Sequence, residues 1–416
     1  MGKNRKGARI SEVPELVSLA DIEAAQRRIE GKVRRTPCVD SPILSELTSV
    51  KVCLKLENLQ LTGSFKERGA CNRLEAMPAD ERARGVVTAS AGNHAQAVAR
   101  HGARLGIAVT VVMPEATPLV KVTATRRYGA TVILSGTNYD EAAELAANLG
   151  RERGLAYVHP FDDPWVIAGQ GTIGLELLAE VPDLDAIVVP VGGGGLIAGI
   201  ACAVKASRPN VRVLGVESRR FPSMKYALDS MPPPSLPGGK TIADGIAVRR
   251  VGALTRELVR SYVDEIALVS EAEIAQAVLI LLEREKTVVE GAGAVGLSAL
   301  LHHRFQLDGA RVAVVLSGGN IDVNLVSRII EHGLVQTGRL ARIVVTAADI
   351  SGVLAQLTRV IADTRANVLE LNHDRAFSGA ELGETLIELV LETHGFEHID
   401  QVCARLSEAG YRFERR

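Results

Sequence analysis

The stretch Thr62 to Gly69 reads T-G-S-F-K-E-R-G and sets a lysine between an aromatic residue and an acid. It falls where a strand-like run, Val52 to Leu56, gives way to a helical pattern, so Lys66 stands at an element junction. Desolvation and neighbouring cations at such a junction lower an amine pKa toward the range in which a lysine forms a Schiff base. Alone, a lysine beside Glu67 and Arg68 is far more often a solvated helix start. The glycine-rich turns elsewhere in the chain change that reading.

Gly192-Gly193-Gly194-Gly195-Leu196 follows a buried strand pattern and opens a helix, so successive backbone N–H groups converge on an anion at the positive helix end. A dinucleotide turn competes, but the G-x-G-x-x-G spacing and its downstream acid are not clearly present. Ser90-Ala91-Gly92-Asn93-His94 is a second strand-to-helix turn, with hydroxyl, amide and backbone donors suited to a carboxylate or a ring oxygen. A plain helix cap by Ser90 or Asn93 is the competing reading. Ser317-Gly318-Gly319-Asn320 is a third such turn. Thr241 to Gly245 and Glu290 to Gly293 read as loops without assignable chemistry, and His302-His303 as a solvated helix end.

Positioning these turns requires a parallel sheet. From Val86 to Pro190 short β-branched runs alternate with helical patterns, the signature of right-handed β/α units, and the rhythm continues to the strand Arg311 to Leu316. Pro232 to Gly239 is a proline- and glycine-rich loop. After Gly338 the order becomes βαββαβ, a ferredoxin-like unit with its boundary near Gln336. A catalytic region over 1–335, with a smaller subdomain at about 55–160, and a separate unit over 336–416 are the expected domains.

The 416 residues, 47% hydrophobic and 23% charged, suffice for two or three domains. A net charge of −1 argues against nucleic acid or an anionic membrane as partner, leaving small-molecule chemistry. Five cysteines without a C-x-x-C pair suit reduced thiols. The basic stretch Met1 to Gly7 has no apolar run behind it, and no stretch of membrane-spanning length follows, so a cytoplasmic protein is expected.

T-G-S-F-K-E-R-G, S-A-G-N-H-A-Q, V-G-G-G-G-L-I-A-G and L-S-G-G-N, in that order over roughly residues 15–335, resemble the fold-type II pyridoxal-phosphate enzymes, and among them the threonine dehydratases. The remaining segment resembles an ACT regulatory domain. The resemblance implies an α/β fold of two parallel-sheet domains with a C-terminal ferredoxin-like domain, and pyridoxal 5'-phosphate as cofactor. It implies Lys66 as the covalent anchor with Phe65 beside it, Gly192, Gly193, Gly194, Gly195 and Leu196 around the phosphate, Asn93 at the ring oxygen and Ser317 at the pyridine nitrogen. Ser90, Gly92, Asn93 and His94 match the loop that receives the substrate carboxylate. The implied reaction is elimination and deamination of L-threonine to 2-oxobutanoate and ammonia, with L-serine to pyruvate beside it.

Two departures qualify the match. Racemising relatives carry a serine just before the Gly-Asn of the second motif, where this chain has Ala91, so racemisation should be poor. Relatives with a divalent-cation site use a glutamate and an acid six residues later; Glu217 matches but Ser223 replaces the acid, and the metal stays unassigned. Open alternatives are an eliminase or racemase acting on serine or hydroxyaspartate, a nicotinamide-dependent dehydrogenase, and an amino-acid sensor. For the tail the resemblance implies an amino-acid effector, isoleucine or valine, near Asp349 to Gly352 and Asn367 to His373, and a homodimer or homotetramer.

Overall fold

The computed structural model describes residues 17–232, 240–375 and 381–416. Most of the expected Pro232 to Gly239 loop lies outside them. The chain divides into two compact units, Met1–Ile321 and Asp322–Arg416.

Two sheets organise the first unit. The larger has the strand order Cys38–Asp40, Lys51–Lys55, Arg311–Val315, Ala186–Pro190, Arg212–Ser218 and Glu265–Val269, parallel except for the hairpin made by the first two. The smaller is wholly parallel, with the order Thr131–Leu134, Val109–Met113, Val86–Ala89 and Ala156–Tyr157. Their central strands are runs such as Ala186–Pro190, buried at every position, as expected where helices cover both faces of a parallel sheet. Parallel strands send all their C-terminal ends to one edge, and the strand-to-helix turns gather there.

Several elements carry no local signal. Helix Gly291–Leu301 buries nearly every residue, and Pro164–Glu180 is buried without a break from Val166 to Gly174, so neither shows a clear 3.6-residue stripe. The stretch Glu290 to Gly293, expected as a loop, is therefore the start of a buried helix. Its glycines are required by packing: a Cβ on Gly291 would lie 2.3 Å from the Ile242 carbonyl oxygen.

The second unit holds a four-stranded antiparallel sheet in the order Asn367–Asp374, Glu384–Glu392, Leu340–Ala348, Arg412–Arg415. Helices Val353–Asp363 and Phe396–Glu408 complete the expected βαββαβ order. Ile343, Val345, Leu357, Ile361, Leu389 and Val402 form its own core. Helix Val323–Gln336, N-terminal to the expected boundary, belongs to this unit.

Candidate active site

A cavity of about 350 Å³ opens among the turns of the first unit. Phe65, Lys66, Ser90, Gly92, Asn93, His94, Gly192 to Leu196 and Ser317 all line it. Residues more than 200 positions apart in the sequence thus share one cleft.

Lys66 begins the helix Lys66–Ala76, and Arg68 in its first turn anchors that helix. The buried Arg68 guanidinium bonds Glu57 at 2.7 Å and Glu176 at 2.6 Å. Removing one member of such a buried set would leave an unpaired charge, costing about 3–5 kcal/mol. Lys66 Nζ donates to the main-chain oxygen of Pro160 at 2.6 Å. Burial of the amine lowers its pKa to about 8, against a smaller opposing pull from Glu290. About a tenth of Lys66 is therefore unprotonated and nucleophilic at pH 7, far more than for an amine at its ordinary pKa.

The four glycines form the turn before the helix Gly195–Ser207. Gly194 has φ +92°, a left-handed conformation that a side chain would strain. The others are glycines for a reason the sequence does not reveal. A Cβ on Gly193 would meet the Phe161 ring at 2.3 Å, one on Gly195 the Phe161 main-chain oxygen at 2.8 Å, and one on Gly192 the Ile246 Cα at 2.9 Å. Protein atoms occupy every side-chain position, so the loop is packed from behind and its other side borders the cleft. The first N–H groups of a helix have no partner within it, which suits this turn to a phosphate.

At the second turn the N-cap of the helix Asn93–Leu105 is Gly92, with no side-chain cap bond, so neither Ser90 nor Asn93 serves as the cap. Ser90 Oγ instead accepts from the Gly92 N–H at 3.2 Å. His94 is buried, and burial, with Lys66 adding to it, pushes its pKa down to about 3. The neutral ring sits 3.2 Å from the Val158 oxygen through Nε2, which must then carry the proton, leaving Nδ1 a buried acceptor with no partner. Its side chain accordingly cannot donate to a carboxylate; the main chain of this turn can.

Glu290 escapes a reading of the sequence. It is 4% exposed, lies in the cleft wall, and both its oxygens accept from Asn93 Nδ2, at 2.9 and 3.2 Å. Burial first, and Asp244 second, raise it to about 7. Its only signal is an acid before a Gly-Ala run, which has no chemical period. The stretch His159 to Asp163 escapes it too: beyond Pro160 and Phe161, the Asp162 carboxylate accepts from the Ala253 and Thr255 N–H groups at 3.1 and 3.0 Å, and Thr255 Oγ1 donates to the Gly193 oxygen at 2.7 Å. Across the cleft, Lys121 Nζ pairs with Asp244 at 2.7 Å, and both line the cavity.

Glu217, at the position the resemblance sets beside a cation site in some relatives, is engaged by main-chain donors. It accepts the Met224 and Lys225 N–H groups at 2.8 and 3.0 Å at the start of the short helix Ser223–Leu228. No cluster of three or more His, Cys, Asp or Glu able to hold a metal occurs among the described residues.

A buried nucleophilic amine facing a glycine turn, with hydroxyl and amide groups from two further turns, fits a phosphorylated aldehyde cofactor. The sequence profile described as pyridoxal-phosphate dependent enzyme matches residues 29–318, and the chain belongs to this family. Among its curated relatives, an L-threonine ammonia-lyase of Thermotoga maritima is 48% identical over 396 residues, covering 95% of this chain and 98% of that protein. A second L-threonine ammonia-lyase, of Geobacter sulfurreducens, is 49% identical over 390 residues, covering 94% and 97%. Of solved structures, a T.th. threonine deaminase superposes with TM-score 0.69 at 43% identity, covering 73% of this chain and 99% of that one.

Proposed function

We propose that the chain is an L-threonine ammonia-lyase, converting L-threonine to 2-oxobutanoate and ammonia and L-serine to pyruvate. The observation that carries this is the Lys66 amine, held at a pKa of about 8 in the same cavity as the glycine turn and Ser317. When bound, pyridoxal phosphate supplies the electron sink that makes the substrate Cα acidic. Lys66 would be the covalent anchor and, once freed, the base that takes the Cα proton on Nζ. Gly192 to Leu196 would hold the phosphate, Asn93 the ring oxygen, and Ser317 would offer a neutral hydroxyl to the ring nitrogen, all of them lining the one cavity. Ser90, Gly92 and the main chain at Asn93 and His94 hold the substrate carboxylate, with the uncharged His94 ring adding no proton of its own. The Cα–H and Cβ–O bonds would break, the proton taken on Lys66 Nζ would leave with the hydroxyl as water, and the enamine so formed would tautomerise to an imine that one water hydrolyses to the 2-oxo acid and ammonia.

Steady-state assays with L-threonine, L-serine and 3-hydroxyaspartate test the assignment. Production of 2-oxobutanoate with the highest kcat/KM on threonine is the expected result, and turnover confined to another hydroxyamino acid would overturn it.

The second unit is, in this reading, a regulatory module that binds isoleucine or valine in a homodimer or homotetramer. Ile350 is exposed in the first turn, and Arg375 pairs with Asp349 at 2.8 Å, joining that turn to the end of the strand Asn367–Asp374. An effector acts by binding one conformational state better than another. A cytoplasmic site of action accords with five free cysteines. No described helix is long and apolar enough to cross a membrane.

A further inference from the structure

An asparagine that must present a donor has two orientations, and only one of them works. At Asn93 the neighbours choose between them. Nδ2 faces the two Glu290 oxygens at 2.9 and 3.2 Å, and Oδ1 accepts from Asn320 Nδ2 at 2.8 Å. Asn320 is itself oriented, because its Nδ2 also donates to the Thr62 main-chain oxygen at 2.7 Å. Rotating the Asn93 amide by half a turn would set oxygen against the Glu290 carboxyl and nitrogen against the Asn320 nitrogen. The Asn320 contact would then lack an acceptor in either protonation state of Glu290, and the Glu290 contact would lack a donor whenever that carboxyl is ionised, each a lost hydrogen bond.

The same contacts leave a hydrogen to spare. The two N–H bonds of a planar amide diverge by about 120°, far more than the angle one carboxyl group subtends, so Glu290 engages one of them. Asn93 lines the cleft, and its second N–H is free for a ligand there.

We propose that Glu290 and Asn320 are positioning residues which lock the Asn93 amide so that one Nδ2 hydrogen is delivered to the ring oxygen of the cofactor. The inference rests on the reading that Asn93 meets that oxygen. Ionisation of Glu290 is not essential to it, since a protonated carboxyl still accepts through its other oxygen. A glutamine at 290 would keep that acceptor, whereas an alanine would not.

Equilibrium dialysis of the full-length holoenzyme, giving the Kd for pyridoxal phosphate, together with the visible absorbance of the bound cofactor, tests this. Asn93→Ala should weaken retention about tenfold and shift the absorbance, the effect of one hydrogen bond to a charged group. Glu290→Ala should do nearly the same, and Glu290→Gln should restore Kd to within about threefold of the parent. In an Asn93→Ala background Glu290→Ala should add far less than it does alone, the remainder being its weak electrostatic pull on the Lys66 amine. Asn320→Ala, which releases the other side of the amide, should follow the same pattern and serves if Glu290→Ala does not fold. If Asn93→Ala changes neither Kd nor absorbance, the underlying reading of Asn93 fails. If Asn93→Ala has its effect but those at Glu290 and Asn320 are absent, or persist undiminished without Asn93, the positioning inference is overturned while the reading of Asn93 stands.

Discussion

Lys66 Nζ lies 2.6 Å from the main-chain oxygen of Pro160, so the amine at the centre of the cleft leans on a neutral acceptor. A carbonyl steadies an ammonium less than a carboxylate would, and burial therefore dominates, bringing the pKa from the ordinary 10.5 to about 8. The lysine is held in place without being held in its charged form.

Replacing Lys66 with alanine should abolish covalent capture of the cofactor and cut turnover by at least about a thousandfold, the scale of a lost general base together with the lost anchor. Circular dichroism should report an intact fold, and the visible absorbance of the purified protein should be changed. A fully active Lys66→Ala protein would refute the assignment.

The lowered amine pKa has a signed consequence for pH. With a midpoint near 8, roughly a tenth of the amine is free at pH 7 and roughly nine tenths at pH 9. Stopped-flow mixing of cofactor-stripped protein with pyridoxal phosphate should show capture accelerating through pH 8 and levelling above it. In the window from about 8 up to 10.5 the unfolded chain holds this proton more strongly than the folded one, so the Lys66 contribution to stability rises with pH there and is unfavourable below it. A midpoint near 10.5 would show that the amine is solvated.

Gly193→Ala places a methyl 2.3 Å from the Phe161 ring. Overpacking of this kind costs about 1–3 kcal/mol, so the melting temperature should fall and cofactor retention with it. Phe161→Leu in the same chain should recover part of both, as measured by thermal melts with and without added pyridoxal phosphate.

Ala91 lies in the cleft wall, where racemising relatives have a serine. Ala91→Ser should yield a small amount of D-serine from L-serine, read by chiral chromatography beside pyruvate formation. A folded, eliminating variant that makes no D-serine at all would count against position 91 as a determinant of reaction choice.

A chain ending at Ile321, where the first compact unit closes, should retain basal turnover and lose any response to isoleucine or valine. Kinetics of the full chain and the shortened chain over a range of each amino acid decide it. An intact protein that neither binds these amino acids nor changes its rate or cooperativity would make the second unit a structural appendage.

The sequence displays the parts of this site that are local. Strand, glycine turn and helix start lie within a few residues of each other at Ser90 to His94 and at Gly192 to Leu196, and alternation of β-branched runs with helical patterns places both at strand ends. It cannot display Glu290, whose meaning comes from Asn93 almost two hundred residues away, nor the packing of Phe161 behind Gly193. Pro164–Glu180 is invisible as a helix because unbroken burial from Val166 to Gly174 erases the polar stripe that betrays one.

The five residues His159 to Asp163 link the lysine and the glycine turn of the cleft to the elements behind them. Pro160 receives the Lys66 amine, Phe161 backs the glycine turn, Asp162 ties down the Gly252 to Thr255 segment, and Asp163 caps the helix Pro164–Glu180 and pairs with Arg73. The lysine and the glycine turn are consequently not separate modules that mutation can adjust one at a time. A deletion of one residue in this stretch would shift every attachment together, so its length should be far less negotiable than its composition, and variant libraries that keep the five positions in register will retain far more active members than those that do not.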